Sequence, residues 1–239
     1  MRRETITPMQ EHWSRTLILI PAYNEAATIA AVIHQIRAHG IGSDVVVVDD
    51  HSSDDTAKRA AAAGVMVLPL AERLGAWGAI QTGMRYALTH GYRTVVTLDA
   101  DGQHDPAAIP RLLAPLRAGT AAVAIGACPQ RVSAARRLAW RYFRLLTGLT
   151  LTDITSGFRA YNHDAMTLLA SNAGHLLSYQ DVGVLLLLGR HRLAVCEVPV
   201  DMRPRSIGGS RIFDSWLTVL RYMLETSVLC LAHLGSRRR

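Results

Sequence analysis

The first half of the chain alternates short apolar runs with longer amphipathic or alanine-rich stretches. A continuous apolar run is typical of a strand buried on both faces, whereas a stretch that begins with capping residues and ends at glycine is typical of a helix. This pattern predicts strands at about 16–21, 44–49, 65–68, 93–99 and 121–126, and helices at about 24–39, 53–63, 76–90 and 106–117. Such alternation predicts an α/β fold with a mostly parallel open sheet and helices on both faces.

The second half of the chain loses this regular alternation. Its pattern predicts helices at about 131–147, 164–171 and 179–189, a strand or loop at 155–161, a strand at 193–200 and a loop at 203–211. Neither an internal repeat nor a low-complexity linker divides the chain. We therefore expect one domain over residues 1–211, followed by an appendage over residues 212–239.

The appendage contains an amphipathic pattern over residues 212–234 that approaches the length of a membrane span. Its ionisable side chains make a true span costly, and they are Asp214, Arg221, Glu225 and His233. Two readings stay open: a helix packed on the domain, or a helix in the membrane interface. Arg237–Arg239 and the basic residues within 131–144 favour the second reading, because they would attract an anionic surface.

Composition indicates a globular protein, since 49% of the residues are hydrophobic and 19% are charged. The three cysteines are Cys128, Cys196 and Cys230, and their wide spacing suits neither a metal site nor a disulfide framework. This cysteine usage favours a reducing, cytosolic compartment. Residues 1–16 contain no apolar core of a secretory signal.

The formal charge of +7 is concentrated in the second half of the chain. Residues 1–120 contain 11 Lys/Arg and 12 Asp/Glu, whereas residues 121–239 contain 15 and 7. A basic half predicts an anionic partner, which can be a phosphorylated ligand, a membrane surface or nucleic acid. Nucleic acid is disfavoured, because aromatics make up 6% of the chain and no basic–aromatic stripe is present.

Polar clusters follow the predicted strands at Tyr23-Asn24-Glu25, Asp49-Asp50-His51-Ser52 and Asp99-Ala100-Asp101. Ligands of open α/β sheets bind at the carboxyl ends of the strands. In an extended chain Asp99 and Asp101 would point to the same side, where their carboxylates repel unless a hard cation such as Mg²⁺ or Mn²⁺ lies between them. Two aspartates that begin an Asp-Gly turn are the alternative, and this stretch alone does not decide between them.

Five segments of the chain resemble family-2 glycosyltransferases, in particular the polyprenyl-phosphate sugar synthases typified by dolichol-phosphate mannose synthases. The segments are IPAYNE (20–25), VVVDDHSSDDT (46–56), LDADGQHDP (98–106), TDITSGFRAYN (152–162) and RPRSIGGSR (203–211). They occur in the order expected of that family and extend from about residue 16 to residue 211. The resemblance implies a GT-A fold, a Rossmann-like nucleotide-binding α/β domain, which agrees with the alternation of strands and helices.

The resemblance also implies the roles of the residues at the donor site. Asp101 and Gln103 would hold Mg²⁺ or Mn²⁺ on the diphosphate of a nucleotide-sugar, with Asp99 nearby on the ribose or the metal. Asp50 would accept hydrogen bonds from the base, although helix capping is the alternative for Asp49 and Asp50. The remaining nucleotide-pocket residues would be Pro21, Ala22, Tyr23 and Glu25.

Arg159 and Arg205 resemble phosphate-binding arginines of the family, and a planar guanidinium suits phosphate oxygens. Outside the motif context, a solvated surface arginine is the default reading for both. By the same resemblance, Asp181 occupies the place where related enzymes have an acidic residue near the acceptor. It would be the general base if the acceptor is an alcohol, and would only position groups if the acceptor is a lipid phosphate. The charge of a helix N-terminus is its other reading.

Two departures from the family pattern matter. Where relatives have a basic glycine-rich segment, this chain has residues 72–78, with Arg73 as the candidate replacement for lysine. Many relatives also carry transmembrane helices after the catalytic domain, and no such helix is predicted here. The chain therefore resembles a soluble or monotopic branch. We expect a cytoplasmic protein, peripheral on the membrane, that reaches a lipid acceptor through interfacial helices or through a membrane partner protein.

Together these observations predict a metal-dependent inverting glycosyltransferase. It would move a hexose from a donor of the GDP-mannose or UDP-glucose type to a polyprenyl phosphate; transfer to a glycan hydroxyl in surface polysaccharide assembly is the alternative. A dinucleotide oxidoreductase is disfavoured, because no G-x-G-x-x-G follows the first strand. A catalytically silent nucleotide-binding or scaffold protein is disfavoured by the set of Asp99, Asp101 and Gln103.

Overall fold

A computed structural model describes residues 16–40, 42–128, 141, 142, 144, 151–175, 177, 181–203 and 227. Within these residues one sheet of seven strands has the order β3-β2-β1-β4-β6-β5-β7. The strands are β1 (Thr16–Ala22), β2 (Asp44–Asp49), β3 (Met66–Pro69), β4 (Thr94–Thr97), β5 (Val123–Ala127), β6 (Arg159–Asn162) and β7 (Val195–Pro199). The predicted strands are therefore present, and their ends differ from the prediction by at most two residues, except that β6 begins four residues later than the segment predicted at 155–161.

The sheet is parallel except for β6. β1 pairs in parallel with β2 and β4, and β2 pairs in parallel with β3. β6 runs antiparallel to both β4 and β5, whereas β5 and β7 are parallel. The prediction of a mostly parallel open sheet is confirmed. The segment 155–161, predicted as strand or loop, contributes most of the antiparallel strand β6.

Helices cover both faces of the sheet, as predicted. α1 (Ile29–Ala38), α2 (Thr56–Ala62) and α4 (Ile109–Arg117) pack on one face, and α3 (Gly75–Thr89), α5 (His163–Leu169) and α7 (Val182–Arg190) pack on the other. A 3₁₀ turn (Pro106–Ala108) precedes α4, and the short helix α6 (Asn172–His175) follows α5.

The two cores arise from the alternation of side chains along buried strands. In β1, Leu17 and Leu19 pack with α3, whereas Ile18 and Ile20 pack with α1 and α4. All four residues are at most 1% exposed, so β1 is buried on both faces. This explains why its sequence is a continuous apolar run.

The first helix begins later than the sequence pattern predicts. We expected it to begin at Asn24, but α1 begins at Ile29. Asn24 adopts a left-handed backbone conformation with φ of 53°, which is incompatible with an α-helix. The helix predicted at 131–147, the loop predicted at 203–211 and the helix predicted at 212–234 lie outside the described residues, apart from Arg203 and a few isolated positions.

Candidate active site

The motif segments converge on one edge of the sheet. β1, β2, β3 and β4 are parallel, so their carboxyl ends and the loops that follow them lie at this edge. β6 is antiparallel, and Arg159 at its beginning pairs with Thr97 at the end of β4. The loop 151–158 therefore reaches the same edge from the opposite direction. Four of the five motif segments contribute to this candidate site.

The loop after β1 is bound to the loop after β2 by a set of hydrogen bonds that we call the loop clasp (residues 24–26 and 52–56). Three consecutive backbone N–H groups donate to side-chain oxygens: Asn24 to Ser52 Oγ at 2.9 Å, Glu25 to Thr56 Oγ1 at 2.8 Å and Ala26 to Asp54 Oδ2 at 3.2 Å. In return, Asn24 Oδ1 accepts the N–H of Ser53 at 2.8 Å.

The loop clasp determines how this edge can bind an anion. In dinucleotide-binding folds, the backbone N–H groups after the first strand bind the pyrophosphate. Here the N–H groups of residues 24–26 already donate within the protein. A diphosphate at this edge must therefore be neutralised by other groups. This agrees with the absence of the glycine-rich fingerprint after β1.

The residues predicted to line the nucleotide pocket lie at the end of β1 and in the loop after it. Pro21 and Ala22 are the last two residues of the strand, and Tyr23 and Glu25 belong to the loop. Ala22 is buried, and its carbonyl accepts the N–H of Asp50 at 2.8 Å. The Glu25 carbonyl accepts the N–H groups of Thr28 at 3.1 Å and Ile29 at 3.0 Å and so begins α1. These contacts hold the first and second motifs side by side.

Asp50 is buried and connects the pocket to the loop after β3. Asp50 Oδ1 accepts the backbone N–H of Leu74 at 2.7 Å. The same loop places the Arg73 guanidinium carbon 3.9 Å from the centroid of the Tyr23 ring, which is a cation–π contact. Arg73, predicted as a replacement for lysine, thus lies directly at the candidate pocket.

Asp49 supports the neighbouring turn. Its Oδ2 accepts the N–H of Ser52 at 3.3 Å, and Asp49 is 5% exposed. Within the described part of the chain, Asp49 Oδ1 has no hydrogen-bond partner. The alternative of helix capping is therefore wrong for both residues: α2 begins at Thr56, Asp49 stabilises a turn before it, and Asp50 stabilises a contact between two loops.

Asp99 and Asp101 do not lie in one extended strand, so that part of the prediction is wrong. β4 ends at Thr97, and residues 100–102 form a turn in which Gly102 has φ of 76°. Asp101 Oδ1 accepts the N–H of Gln103 at 3.0 Å, the hydrogen bond that stabilises such turns. The alternative reading of an Asp-Gly turn is therefore correct for the backbone, and a turn does not exclude cation binding.

The donor set of this turn suits a hard cation. Carboxylate oxygens of Asp99 and Asp101 and the amide oxygen of Gln103 are the ligand types that Mg²⁺ and Mn²⁺ prefer. The described residues contain no group of three or more His, Cys, Asp and Glu side chains arranged around a metal. Two carboxylates and an amide fit a cation that completes its coordination with diphosphate oxygens and water.

His104 organises this turn, although the sequence analysis assigned it no role. Its Nδ1 accepts the Asp99 backbone N–H at 3.1 Å, and its Nε2 lies 3.6 Å from Asp99 Oδ2. His104 is 4% exposed and stacks on Phe158, with ring centroids 5.0 Å apart. Because Nδ1 accepts a hydrogen bond, the other ring nitrogen, Nε2, is the one that faces the Asp99 carboxylate.

The loop 151–158 packs directly on Asp99. A Cβ atom at Gly157 would lie 2.6 Å from Asp99 Oδ1, and the Gly157 carbonyl accepts the Thr97 hydroxyl at 2.6 Å. Glycine is therefore the residue that allows the SGFR segment to approach the carboxylate. Local sequence pattern does not indicate this role of Gly157, because Asp99 is 58 positions away along the chain.

Arg159 is fully buried, which excludes the reading of a solvated surface arginine. Its Nε donates to the Ser156 carbonyl at 2.8 Å, and its Nη2 donates to the Ile154 carbonyl at 2.7 Å. Nη1 has no hydrogen-bond partner among the described residues. Arg159 thus fixes the shape of the loop that touches Asp99, and its contact with phosphate stays a prediction.

Two acids that the sequence analysis missed complete this loop. Glu197 Oε1 accepts the N–H groups of Thr152 at 2.7 Å and Asp153 at 2.6 Å. Asp153 Oδ2 accepts the N–H of Cys128 at 3.2 Å. Burial raises the pKa of Asp153, and the charge of Glu197 adds to this, whereas hydrogen bonds and the charge of Arg159 act in the other direction.

Asp181 and the fifth motif are described only in part. Asp181 is 9% exposed and precedes α7, but its side chain does not cap that helix. The N–H of Arg203 donates to the Gln103 carbonyl at 2.8 Å, so the segment that leads into residues 204–211 starts beside the candidate cation site. Arg205 and the rest of the fifth motif segment, residues 204–211, lie outside the described residues.

Comparison with known proteins identifies the family. The model of glycosyl transferase family 2 matches residues 17–174. The chain belongs to this family. It is 34% identical over 216 residues to an undecaprenyl-phosphate mannosyltransferase of Micrococcus luteus, covering 83% of this chain and 87% of that protein. A polyprenol monophosphomannose synthase of Mycolicibacterium smegmatis is 30% identical over 228 residues, covering 88% and 84%.

Solved structures confirm the GT-A fold. Glucosyl-3-phosphoglycerate synthase of Mycobacterium tuberculosis, crystallised with Mn²⁺, UDP-glucose and phosphoglyceric acid, superposes with a TM-score of 0.73 at 23% identity. The match covers 98% of this chain and 86% of that one. Across the described ranges, no helix of this chain has the length and apolar character needed to cross a membrane.

Gly157→Ala tests the close contact between the SGFR loop and Asp99. The added methyl group would displace the Asp99 carboxylate, and we expect glycosyl transfer to slow by roughly 10- to 100-fold, the scale of a 1 Å misplacement. The melting temperature should change little, because the side chain of Asp99 can move. Gly189→Ala in α7 is the control, since its Cβ would meet no atom within 4 Å. A Gly157→Ala protein with wild-type activity would contradict this role of Gly157.

Proposed function

We propose that the protein is an inverting hexosyltransferase that moves a sugar from a nucleotide-sugar to a polyprenyl phosphate with the help of Mg²⁺ or Mn²⁺. The observation that carries this proposal is the arrangement of the candidate site. The backbone N–H groups of residues 24–26 are occupied by the loop clasp, and the oxygen-rich turn of Asp101 and Gln103 lies at the same edge of the sheet. The names of the two bacterial relatives support the acceptor class.

The nucleotide would lie against the ends of β1 and β2. Pro21, Ala22, Tyr23 and Glu25 would line its pocket. Asp50 would accept a hydrogen bond from the base with the oxygen that does not bind Leu74. Arg73, on the ring of Tyr23, adds positive charge where the base or ribose would enter.

Asp101 and Gln103 would hold the cation, with Asp99 beside them. When bound, the cation would offset the negative charge that develops on the leaving nucleoside diphosphate. Three features of this chain keep Asp99 in place: the hydrogen bond to His104, the contact with Gly157 and the carbonyl contacts of Arg159. A structural neighbour crystallised with Mn²⁺ and a nucleotide-sugar supports the same cation class.

Arg205 and Arg159 would contribute positive charge to the phosphates, Arg205 from the segment that begins beside Gln103. In a single displacement, the acceptor oxygen attacks the anomeric carbon from the face opposite the leaving diphosphate, which inverts the configuration. A lipid phosphate oxygen is already ionised at neutral pH, so Asp181 would orient the acceptor. With an alcohol acceptor, Asp181 would have to act as the general base.

Asp101→Ala tests the cation assignment. We expect Mn²⁺- or Mg²⁺-dependent release of nucleoside diphosphate to fall by about 100-fold or more, the scale of losing one main electrostatic contact in the transition state. Asp164→Ala is the charge-matched control, because Asp164 lies in the first turn of α5, beyond the opposite end of β6. Unchanged turnover in Asp101→Ala would refute the assignment.

A panel of donors and acceptors tests the reaction itself. GDP-mannose, UDP-glucose and related donors would each be incubated with undecaprenyl phosphate, with dolichyl phosphate and with a glycan acceptor. We expect nucleoside diphosphate release together with sugar in the lipid-extractable fraction for one donor class. Transfer to the glycan without transfer to either lipid would instead establish the alternative of a hydroxyl acceptor.

We also propose that residues 1–211 form the catalytic domain and that 212–239 form an amphipathic, basic segment that binds the anionic cytoplasmic face of the membrane. The amphipathic pattern and the terminal arginines of the sequence support this proposal. Deletion of residues 212–239 should reduce co-sedimentation with anionic liposomes while leaving the melting temperature within a few degrees. Equal co-sedimentation of the two proteins would indicate a segment packed on the domain or a membrane partner protein.

A further inference from the structure

We propose that Asp54 is a positioning residue for the donor nucleotide, which it affects through the loop clasp without touching the nucleotide. This role rests on the proposed function, because it requires a nucleotide-sugar donor. Asp54 lies in the motif segment 46–56, and the structure gives it contacts on both loops of the clasp.

Both carboxylate oxygens of Asp54 are used in this contact. Oδ2 accepts the N–H of Ala26 at 3.2 Å, and Oδ1 accepts the N–H of Thr56 at 3.0 Å and also the Thr56 hydroxyl. Thr56 Oγ1 in turn accepts the N–H of Glu25 at 2.8 Å. One carboxylate therefore supports two of the three backbone N–H groups in the loop after β1. Burial acts to raise the Asp54 pKa, but hydrogen bonds from Thr56 and Ala26 outweigh it and hold that pKa below its ordinary value.

The loop after β1 needs this support because of its backbone conformation. Asn24 has φ of 53°, a left-handed conformation that asparagine adopts more readily than most non-glycine residues but that an α-helix does not contain. Tyr23 precedes Asn24 and Glu25 follows it, so the conformation of Asn24 sets the direction of both side chains. Without the hydrogen bonds of the clasp, the chain could extend α1 toward Asn24, as its sequence pattern favours. The pocket side chains would then lose their fixed orientation.

Charge and hydrogen bonding predict opposite effects when Asp54 is removed. Asp54 is an exposed acid at a site proposed to bind an anionic nucleoside diphosphate. If only its charge mattered, its removal would strengthen binding. If it positions the loop, its removal weakens binding. Asp55 provides a matched control, because it is also exposed and its side chain makes no capping hydrogen bond to α2.

The experiment compares wild-type protein with Asp54→Ala, Asp54→Asn and Asp55→Ala. Binding of GDP and UDP in the presence of Mn²⁺ is measured by calorimetry, and donor KM and kcat are measured with the active donor. For Asp54→Ala we expect Kd and donor KM to rise about tenfold with little change in kcat, as for the loss of charge-assisted hydrogen bonds that act on donor binding. Asp54→Asn keeps one acceptor oxygen and should recover part of the affinity. Asp55→Ala should bind as tightly as the wild type or more tightly.

A second pair of variants covers the case in which Asp54→Ala does not fold. Thr56→Ser keeps the hydroxyl that joins Asp54 to Glu25 and should resemble the wild type, whereas Thr56→Val removes it and should weaken nucleotide binding. Equal affinities in Thr56→Ser and Thr56→Val, or equal effects of Asp54→Ala and Asp55→Ala, would overturn the role of Asp54. A wild-type protein that binds neither nucleotide would overturn the proposed function, and with it this role.

Discussion

The parallel pairing of β1 with β2 and with β4 is the constraint on which the candidate site depends. It aligns Ala22 with Asp49 and Leu19 with Thr97, so the chain leaves all three strands at the same edge of the sheet. Residues 17–20 of β1 are buried and apolar, and the polar side chains of the candidate site follow where the strands end. The loops after β1 and β2 are joined by hydrogen bonds from backbone N–H groups, and these groups are therefore not available to a ligand. The N–H groups after β1 are used in this way, and the side chains after β4 are the ligands proposed for a cation.

Much of the fold could be predicted from the sequence, because a strand that is buried on both faces has a continuous run of apolar residues. Residues 44–49 are the clearest example, since β2 has the predicted bounds. The direction of β6 could not be predicted, because a strand of four residues has the same alternation in either direction. The start of α1 was misplaced for a different reason. Its first predicted turn is held open by hydrogen bonds to residues about 30 positions away, which local pattern does not reveal.

For the candidate site as well, the local sequence identifies residues but does not reveal their contacts with distant parts of the chain. The family motifs named Asp50, Asp101 and Arg159, but a motif does not state which atom each side chain contacts. In the structure, Asp50 holds the loop that carries Arg73, and Arg159 is buried against the carbonyls of its own loop. Gly157 and Glu197 act through contacts with residues 58 and 45 positions away, Asp99 and Thr152. Such partners become visible only when the chain is folded.

The burial of Arg159 in β6 has a consequence for the pairing of the strands. Side chains alternate across a sheet, so Arg159 and Tyr161 lie on one face, whereas Phe158 and Ala160 pack in the core on the other. A shift of β6 by one residue would move the guanidinium into that apolar core, away from the carbonyls of Ser156 and Ile154, and would separate Phe158 from His104. Both faces therefore oppose a slipped register. The antiparallel strand β6 has only four residues. Even so, the charge of Arg159 on one face and the stacking of Phe158 on His104 on the other favour a single register.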